Sequence, residues 1–157
     1  LLNDALFPLT DKVADLGVSV TYRIGPADRD HADESYVEIA TAATPKALRP
    51  YAPAHVRAQR GPDGVTISFT RCGRLDSDTW ETLDIPLGEA RESYRVTLSN
   101  ASGVIRQWTV AQHSLLYTTA EELADFGIPQ ATLHLGVAQM SAAVGDGFTT
   151  SLLAPVA

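Results

Sequence analysis

The sequence predicts an all-β fold: an antiparallel sandwich with a short N-terminal β extension and one helical turn. Near the C-terminus a row of apolar side chains alternates with polar or small residues: Leu133, Leu135 and Val137. A glycine-rich turn at residues 145–147 and a second short strand at 148–153 complete a closing β-hairpin. The same alternation recurs in about seven short segments after residue 54, which indicates sheets with one buried face.

The composition narrows the class of protein. The 157 residues are enough for one domain, or one domain and a fragment, and the single cysteine, Cys72, has no partner for a disulfide within the chain. The net charge of -7 opposes nucleic-acid binding, which needs clustered lysine and arginine. No apolar run approaches the roughly 18 to 20 residues that cross a bilayer, so we expect no membrane insertion. The N-terminus lacks the pattern of an export signal. Because the chain begins with Leu1 and Leu2 rather than methionine, we expect it to be a segment of a longer polypeptide.

The pattern of predicted strands and loops divides the chain near residue 49. Residues 19–24 and 36–41 read as two short strands joined by a polar loop. Residues 44–53 contain three prolines, each of which lacks a backbone donor and holds the residue before it in an extended conformation. This predicts a connector rather than a helix. Because two strands are too few for a stable sheet, we interpret residues 1–49 as the end of a preceding β module or as a packed extension. Residues 50–157 form the predicted sandwich.

The sandwich opens with a predicted hairpin. Residues 54–60 and 65–71 flank the turn sequence Gly-Pro-Asp-Gly, and Val65, Ile67 and Phe69 form its buried row. A long acidic connection at residues 72–90 follows.

Two further strands and a helix complete the pattern. Residues 92–99 place Tyr94, Val96 and Leu98 on one face, and 104–110 form the partner strand across a turn. Residues 115–118 are another strand. A helix is predicted at 119–126, with Thr119 as its N-cap, Glu122 three residues later and Gly127 at its end.

Seven short strands over about a hundred residues resemble a fibronectin type III domain. The resemblance is carried by the proline-rich opening at 49–53, the strand VTISF with Phe69 in place of the usual tryptophan, the strand at 94–98 and the hairpin at 133–147. It implies an immunoglobulin-like antiparallel β-sandwich. Leu133 stands where the family usually carries the tyrosine of its tyrosine corner.

A narrower resemblance concerns the order of three segments, residues 22–40, 48–98 and 133–147. This order is similar to the C-terminal region of the large tail-tip or baseplate proteins, some of them called host-specificity proteins, of phage-like gene transfer agents and related tailed phages. The resemblance implies a structural role in a virion, at the tail tip of a particle assembled in the bacterial cytoplasm. The implied partners are other tail or baseplate subunits and, at the host surface, a glycan or an envelope protein.

The residues offer no catalytic group, cofactor or metal site. No two histidines have the spacing of metal ligands, since all four are far apart: His31, His55, His113 and His134. The acids around Asp76 and Asp78 fail the calcium-loop pattern, because Trp80 occupies its fifth position, so a solvated loop is favoured. Cys72 is interpreted as a small packed residue rather than a nucleophile.

The two tryptophans are the strongest candidates for recognition. We expect Trp108 to pack in the core, and we single out Trp80, Asp76 and Asp78 as candidate contacts to a partner or a glycan. The preferred interpretation is a non-enzymatic structural module. The alternatives are a carbohydrate-binding module that recognises a cell-envelope glycan and an accessory domain of a hydrolase.

Overall fold

A computed structural model describes residues 13–75 and 85–157. The chain forms two compact units, Leu1–Ala47 and Leu48–Ala157. The sequence predicts a non-helical connector near this division, but Pro45–Leu48 form one 3-10 helical turn. Proline lacks a backbone N–H, but at the first position of a helical turn that N–H would have no partner within the turn. The turn therefore tolerates Pro45. Within the described residues, no helix is long and apolar enough to cross a membrane.

The first unit contains a short 3-10 turn at Val13–Asp15 and two antiparallel strands, β1 (Ser19–Ile24) and β2 (Val37–Ala42). Both strands fall within one residue of their predicted positions. The loop between them is closed by the Tyr36 hydroxyl, which donates to the Pro26 carbonyl at 2.9 Å.

The second unit is a sandwich of two antiparallel sheets. Its elements are β3 (Ala54–Gly61), β4 (Gly64–Thr70), β5 (Tyr94–Asn100), β6 (Gly103–Val110), β7 (Ser114–Thr118), α1 (Thr119–Phe126), β8 (Thr132–Ser141) and β9 (Gly145–Pro155). One sheet has the order β3-β4-β7 and the other the order β6-β5-β8-β9. This arrangement confirms the predicted all-β, fibronectin type III or immunoglobulin-like sandwich.

The core lies between the two sheets and follows the predicted alternation. Its fully buried rows come from three central strands: Val65 and Ile67 on β4, Tyr94, Val96 and Leu98 on β5, and Leu133, Leu135 and Val137 on β8. Each row faces inward because successive side chains on a strand point to opposite faces.

The cap of α1 differs from its prediction by one residue. The N-cap is Thr118 rather than Thr119, and its partner three residues later is Glu121 rather than Glu122. The backbone N–H of Glu121 donates to Thr118 Oγ1 at 3.3 Å, and the Thr118 backbone N–H donates to Glu121 Oε2 at 2.9 Å. Gly127, with a φ of 73°, ends the helix as predicted.

The turn of the closing hairpin also differs from its prediction. The turn is made by residues 142–144, and Gly145 already pairs with Ser141 at the start of β9. Gly145 has a φ of 76°, a left-handed conformation that glycine adopts without steric cost. A three-residue loop followed by a left-handed residue is a common hairpin geometry, so the glycine ends the turn rather than forming its centre.

Strand registers give the sandwich two distinct ends. Ser68 pairs with Ser114, and Tyr94 pairs with both Val110 and Gln139. One end of the sandwich, which we call the loop end, therefore holds three connections. They are the described flanks of the 71–93 connection, the turn at 111–113 and the turn at 142–144. The helix α1 and the two tight turns after β3 and β5 lie at the other, which we call the helix end.

Candidate functional site

A polar cluster occupies the loop end, where the β4–β5 and β6–β7 connections both cross between the two sheets. The Tyr94 hydroxyl donates to Glu92 Oε1 at 2.6 Å. The Nε2 atom of His113 lies 2.7 Å from the same carboxylate oxygen and 3.0 Å from the Tyr94 hydroxyl. Arg71 Nε lies 3.9 Å from Glu92 Oε1. One carboxylate thus gathers side chains from the ends of three strands.

Ring packing fixes the cluster between the two sheets. The Phe69 ring on β4 meets the Tyr94 ring on β5 edge to face, with centroids 4.9 Å apart. The His113 ring packs against both, at 5.4 Å from Tyr94 and 6.2 Å from Phe69. The backbone N–H of Phe69 also donates to the His113 carbonyl at 3.0 Å. These contacts hold His113 in place although it is exposed.

The cluster shifts the acidities of its members. The pKa of Glu92 lies below its ordinary value, chiefly because Tyr94 donates to the carboxylate, with His113 and Arg71 acting in the same direction against the effect of burial. The pKa of Tyr94 is raised well above its ordinary value by burial, and its hydrogen bond to Glu92 adds to this. Glu92 is therefore held as a carboxylate and Tyr94 as a neutral donor.

Arg71 connects the cluster to the far flank of the long connection. Its guanidinium donates to the carbonyls of Pro86 at 3.0 Å and Ile85 at 2.7 Å. Nearby, Arg74 and Glu89 form an ion pair at 3.8 Å. These contacts tie residues before position 76 to residues after position 84.

The predicted contact residues lie between these flanks. Trp80, Asp76 and Asp78 fall outside the described residues. Their role as partner or glycan contacts stays a prediction. The structure shows where the chain leaves and rejoins the sandwich, which is beside the Glu92 cluster.

A second anchored segment borders the loop end. The Arg49 guanidinium donates to the carbonyls of Asp146 at 3.0 Å and Gly147 at 2.7 Å, and it lies 4.6 Å from the centre of the Phe148 ring. Arg95 forms an ion pair with the Asp146 carboxylate. These contacts fix the turn end of the β8–β9 hairpin.

The other residues singled out from the sequence lie apart from this cluster. Trp108 is half-buried, with its ring 5.7 Å from that of Tyr117, which confirms its predicted packing against the core. Cys72 is a half-buried free thiol.

The remaining histidines are also dispersed. His31 packs on Tyr36 in the first unit, and His55 sits at a bulge in β3 with a φ of 52°. His134 lies on the outer face of its sheet, 2.8 Å from the Ser99 hydroxyl. In residues 13–75 and 85–157, no three histidine, cysteine or acidic side chains converge as a metal site.

Sequence reasoning missed the Glu92 cluster. Glu92 and Tyr94 lie two residues apart, but His113 joins them only because the β6–β7 turn returns the chain to the loop end. The single available signal was an acid next to a strand that begins with a buried tyrosine. Chemically, the cluster is a set of donors and acceptors that satisfy one another, and this suits it to holding the loop end in shape.

Comparisons with known proteins add little to this geometry. No protein-family model matches the chain, and no curated protein matches it. Among solved structures, the chain is similar to the crystal structure of the rat CD45 extracellular region, domains d3-d4, with 9% identity and a TM-score of 0.41. That match covers 98% of this chain and 72% of the other. A likeness at this level carries no argument about function.

Proposed function

We propose that the chain is a non-enzymatic interaction module of a phage-like tail tip or baseplate, which acts in particle assembly or in attachment to the host surface. The tail-tip assignment rests on the resemblance of residues 22–40, 48–98 and 133–147 to the C-terminal region of such proteins. The sandwich is the scaffold, and its loop end is the surface that meets a partner.

One observation carries the choice of surface. Arg71, Glu92 and His113 tie both flanks of the long connection to the two sheets. Rigid presentation of a loop lowers the ordering cost of binding, which is the usual reason to brace a recognition segment. Between these anchored flanks the sequence contains Trp80, a residue type that often dominates protein interfaces.

The same contacts favour positioning over catalysis. Hydrogen bonds join the Glu92 carboxylate, the Tyr94 hydroxyl and the His113 imidazole to one another. A catalytic set would aim one of these groups at a serine, cysteine or water poised for attack. Here each of the three groups forms hydrogen bonds with the other two instead.

A genetic experiment tests the proposal and separates its two forms. The coding region for residues 50–157 is deleted in the bacterium that produces the particles, and the particles are counted and imaged. Missing or truncated tails would support a role in assembly. Normal tails with reduced adsorption to recipient cells would support attachment. Normal tails with normal adsorption would refute the proposal.

The carbohydrate-binding alternative has its own test. The intact chain is titrated with envelope saccharides while tryptophan fluorescence is followed. A saturable change that disappears in Trp80→Ala and persists in Tyr51→Ala, an exposed aromatic elsewhere in the sandwich unit, would favour glycan recognition. A flat titration would leave the tail-subunit proposal in place.

A further inference from the structure

Strand β3 contains an unfavourable backbone conformation at His55. Its φ is 52°, and among the described residues other than glycine it alone has a positive φ. The strand is bulged here, since Ala54 pairs with Thr70 and the register resumes with Arg57 opposite Ser68. A left-handed conformation is unfavourable for a residue with a side chain, whereas glycine adopts it without steric cost. The bulge alone therefore does not require a histidine.

The bulge places this histidine beside a groove on the outer face of the three-stranded sheet. The groove has a volume of about 330 Å³, and five residues line it: His55, Arg57, Ser68, Phe69 and Thr70. Arg57 and Ser68 are directly opposed partners on β3 and β4, and their neighbours Ala58 and Ile67 are buried in the core. A bulge can re-aim a side chain toward a site. The volume lies at the lower end of the range for small-molecule sites.

The charged and aromatic-nitrogen groups of the groove have no partner within the protein. Among the described residues, no hydrogen bond or ion pair engages the His55 imidazole or the Arg57 guanidinium. By contrast, Arg60 on the same strand is paired with Glu122. No described carboxylate lines the groove, although the chain has a net charge of -7. Because a guanidinium only donates hydrogen bonds, the groove favours a ligand that carries negatively charged acceptors.

We propose that this groove binds an oxyanion, a phosphate or a carboxylate, carried by a small hydroxylated molecule. The Arg57 guanidinium donates two parallel hydrogen bonds to the oxyanion, and the His55 imidazole donates a further one from the bulge. The Ser68 and Thr70 hydroxyls both donate and accept, so they suit the hydroxyl groups of the same molecule. The inference rests on the groove alone and does not depend on the tail-tip assignment.

An NMR titration of the isotope-labelled full chain tests this inference with two matched pairs of probes. Glucuronate is compared with glucose, and glycerol phosphate with glycerol. At least one charged probe should give saturable shifts at residues 55–57 and 68–70, and its uncharged counterpart should give none. A response to glucuronate alone would identify a carboxylate site, and a response to glycerol phosphate alone would identify a phosphate site. Absence of saturable shifts with both charged probes would overturn the inference, as would equal binding of the uncharged probes.

Inorganic phosphate separates a bare anion from one carried by a hydroxylated molecule. It should bind more weakly than glycerol phosphate, because it offers no carbon-borne hydroxyl groups to Ser68 and Thr70. Equal affinities would overturn the role given to these two hydroxyls.

A substitution of Arg57 tests the source of the charge recognition. Arg57→Gln should weaken the binding of the charged probes by about tenfold or more, because it removes a charge-assisted, bidentate contact. Arg91→Gln is the matched control. It removes the same charge from an exposed position on the 71–93 connection and should leave the affinity unchanged. Equal affinities of the two variants would show a response to net charge only and would overturn the assigned site.

A substitution of His55 tests the imidazole separately from the bulge. Asparagine adopts the left-handed region more readily than most residues, so His55→Asn keeps the backbone conformation. The variant should retain the urea midpoint of the unchanged protein and bind the charged probes more weakly. An unchanged affinity would overturn the role of His55 in binding. A lowered urea midpoint would also overturn it, since the imidazole would then stabilise the fold.

Discussion

The Arg60 guanidinium on β3 holds both carboxylate oxygens of Glu122 on α1, with each nitrogen–oxygen distance at 2.9 Å. Glu122 is completely buried, and its Oε1 also accepts the backbone N–H of Gln130 at 2.8 Å. Arg60 donates a further bond to the Gln130 carbonyl at 2.9 Å. One ion pair therefore joins the first strand of the sandwich to the helix and to the segment that leads into β8.

Replacing Arg60 with alanine should destabilise the protein strongly. The substitution leaves the buried Glu122 carboxylate without its cation, a change that costs about 2 to 4 kcal/mol after allowance for the partial exposure of Arg60. Urea unfolding measures the loss. Arg57→Ala, at an exposed position of the same strand, is the control and should cost under about 0.5 kcal/mol. Equal effects of the two substitutions would contradict the account of this ion pair.

The same pair makes stability depend on pH. The pKa of Glu122 lies below its ordinary value because Arg60 donates to it, with the Gln130 N–H assisting against burial. Since the folded value is the lower one, the contribution is present above the unfolded value of 4.5 and disappears as pH falls through the folded value. The unfolding free energy of the native protein should therefore fall more steeply than that of Glu122→Gln between about pH 5 and about pH 3. If the unfolding free energies of the native protein and Glu122→Gln change with pH in parallel, the lowered pKa of Glu122 is contradicted.

Removing the imidazole of His113 should loosen the loop end without unfolding the sandwich. His113→Ala deletes a contact to Glu92 and the ring packing on Tyr94. Hydrogen exchange should accelerate at residues 85–92 and stay unchanged in β8. His134→Ala, an exposed histidine on the outer face of the sheet, is the control and should not change exchange at 85–92. Faster exchange throughout both sheets would instead indicate a general loss of stability.

Gly147 should not tolerate a side chain. A Cβ there would lie 2.7 Å from the Pro50 carbonyl oxygen and 2.8 Å from that of Gln139, and both are backbone atoms that cannot move freely. We expect Gly147→Ala to cost about 1 to 3 kcal/mol of unfolding free energy. At Gly61 a Cβ meets nothing closer than 3.9 Å, so Gly61→Ala is the matched control for thermal unfolding. A melting temperature for Gly147→Ala equal to that of Gly61→Ala would be the contrary result.

Alternation of apolar residues was sufficient to predict the strands and their buried faces. Every second side chain of a strand lies on the same face, so a row of alternating apolar residues identifies the face that is buried. It was not sufficient for the cap of α1. Thr118 with Glu121 and Thr119 with Glu122 both have the spacing of a capping box, so the sequence alone does not separate them. Tertiary structure decides the matter, since the buried Arg60 contact requires Glu122 to face away from the cap.

The loop end could not be predicted in the same way. Glu92 and His113 are separated by a whole strand pair, and only the register of β5 with β6 brings them together. No local pattern signals such a contact. Trp80 was identified by residue type alone, and the structure adds only the anchoring of its flanks through Arg71.

The central claim, that this chain is a subunit of a tail tip or baseplate, is tested most directly by immuno-electron microscopy of purified particles with antibodies against the 157-residue chain. The account predicts gold label at the host-facing end of the tail. Label that is absent from intact particles, or that lies on the capsid or along the tail shaft, would contradict it.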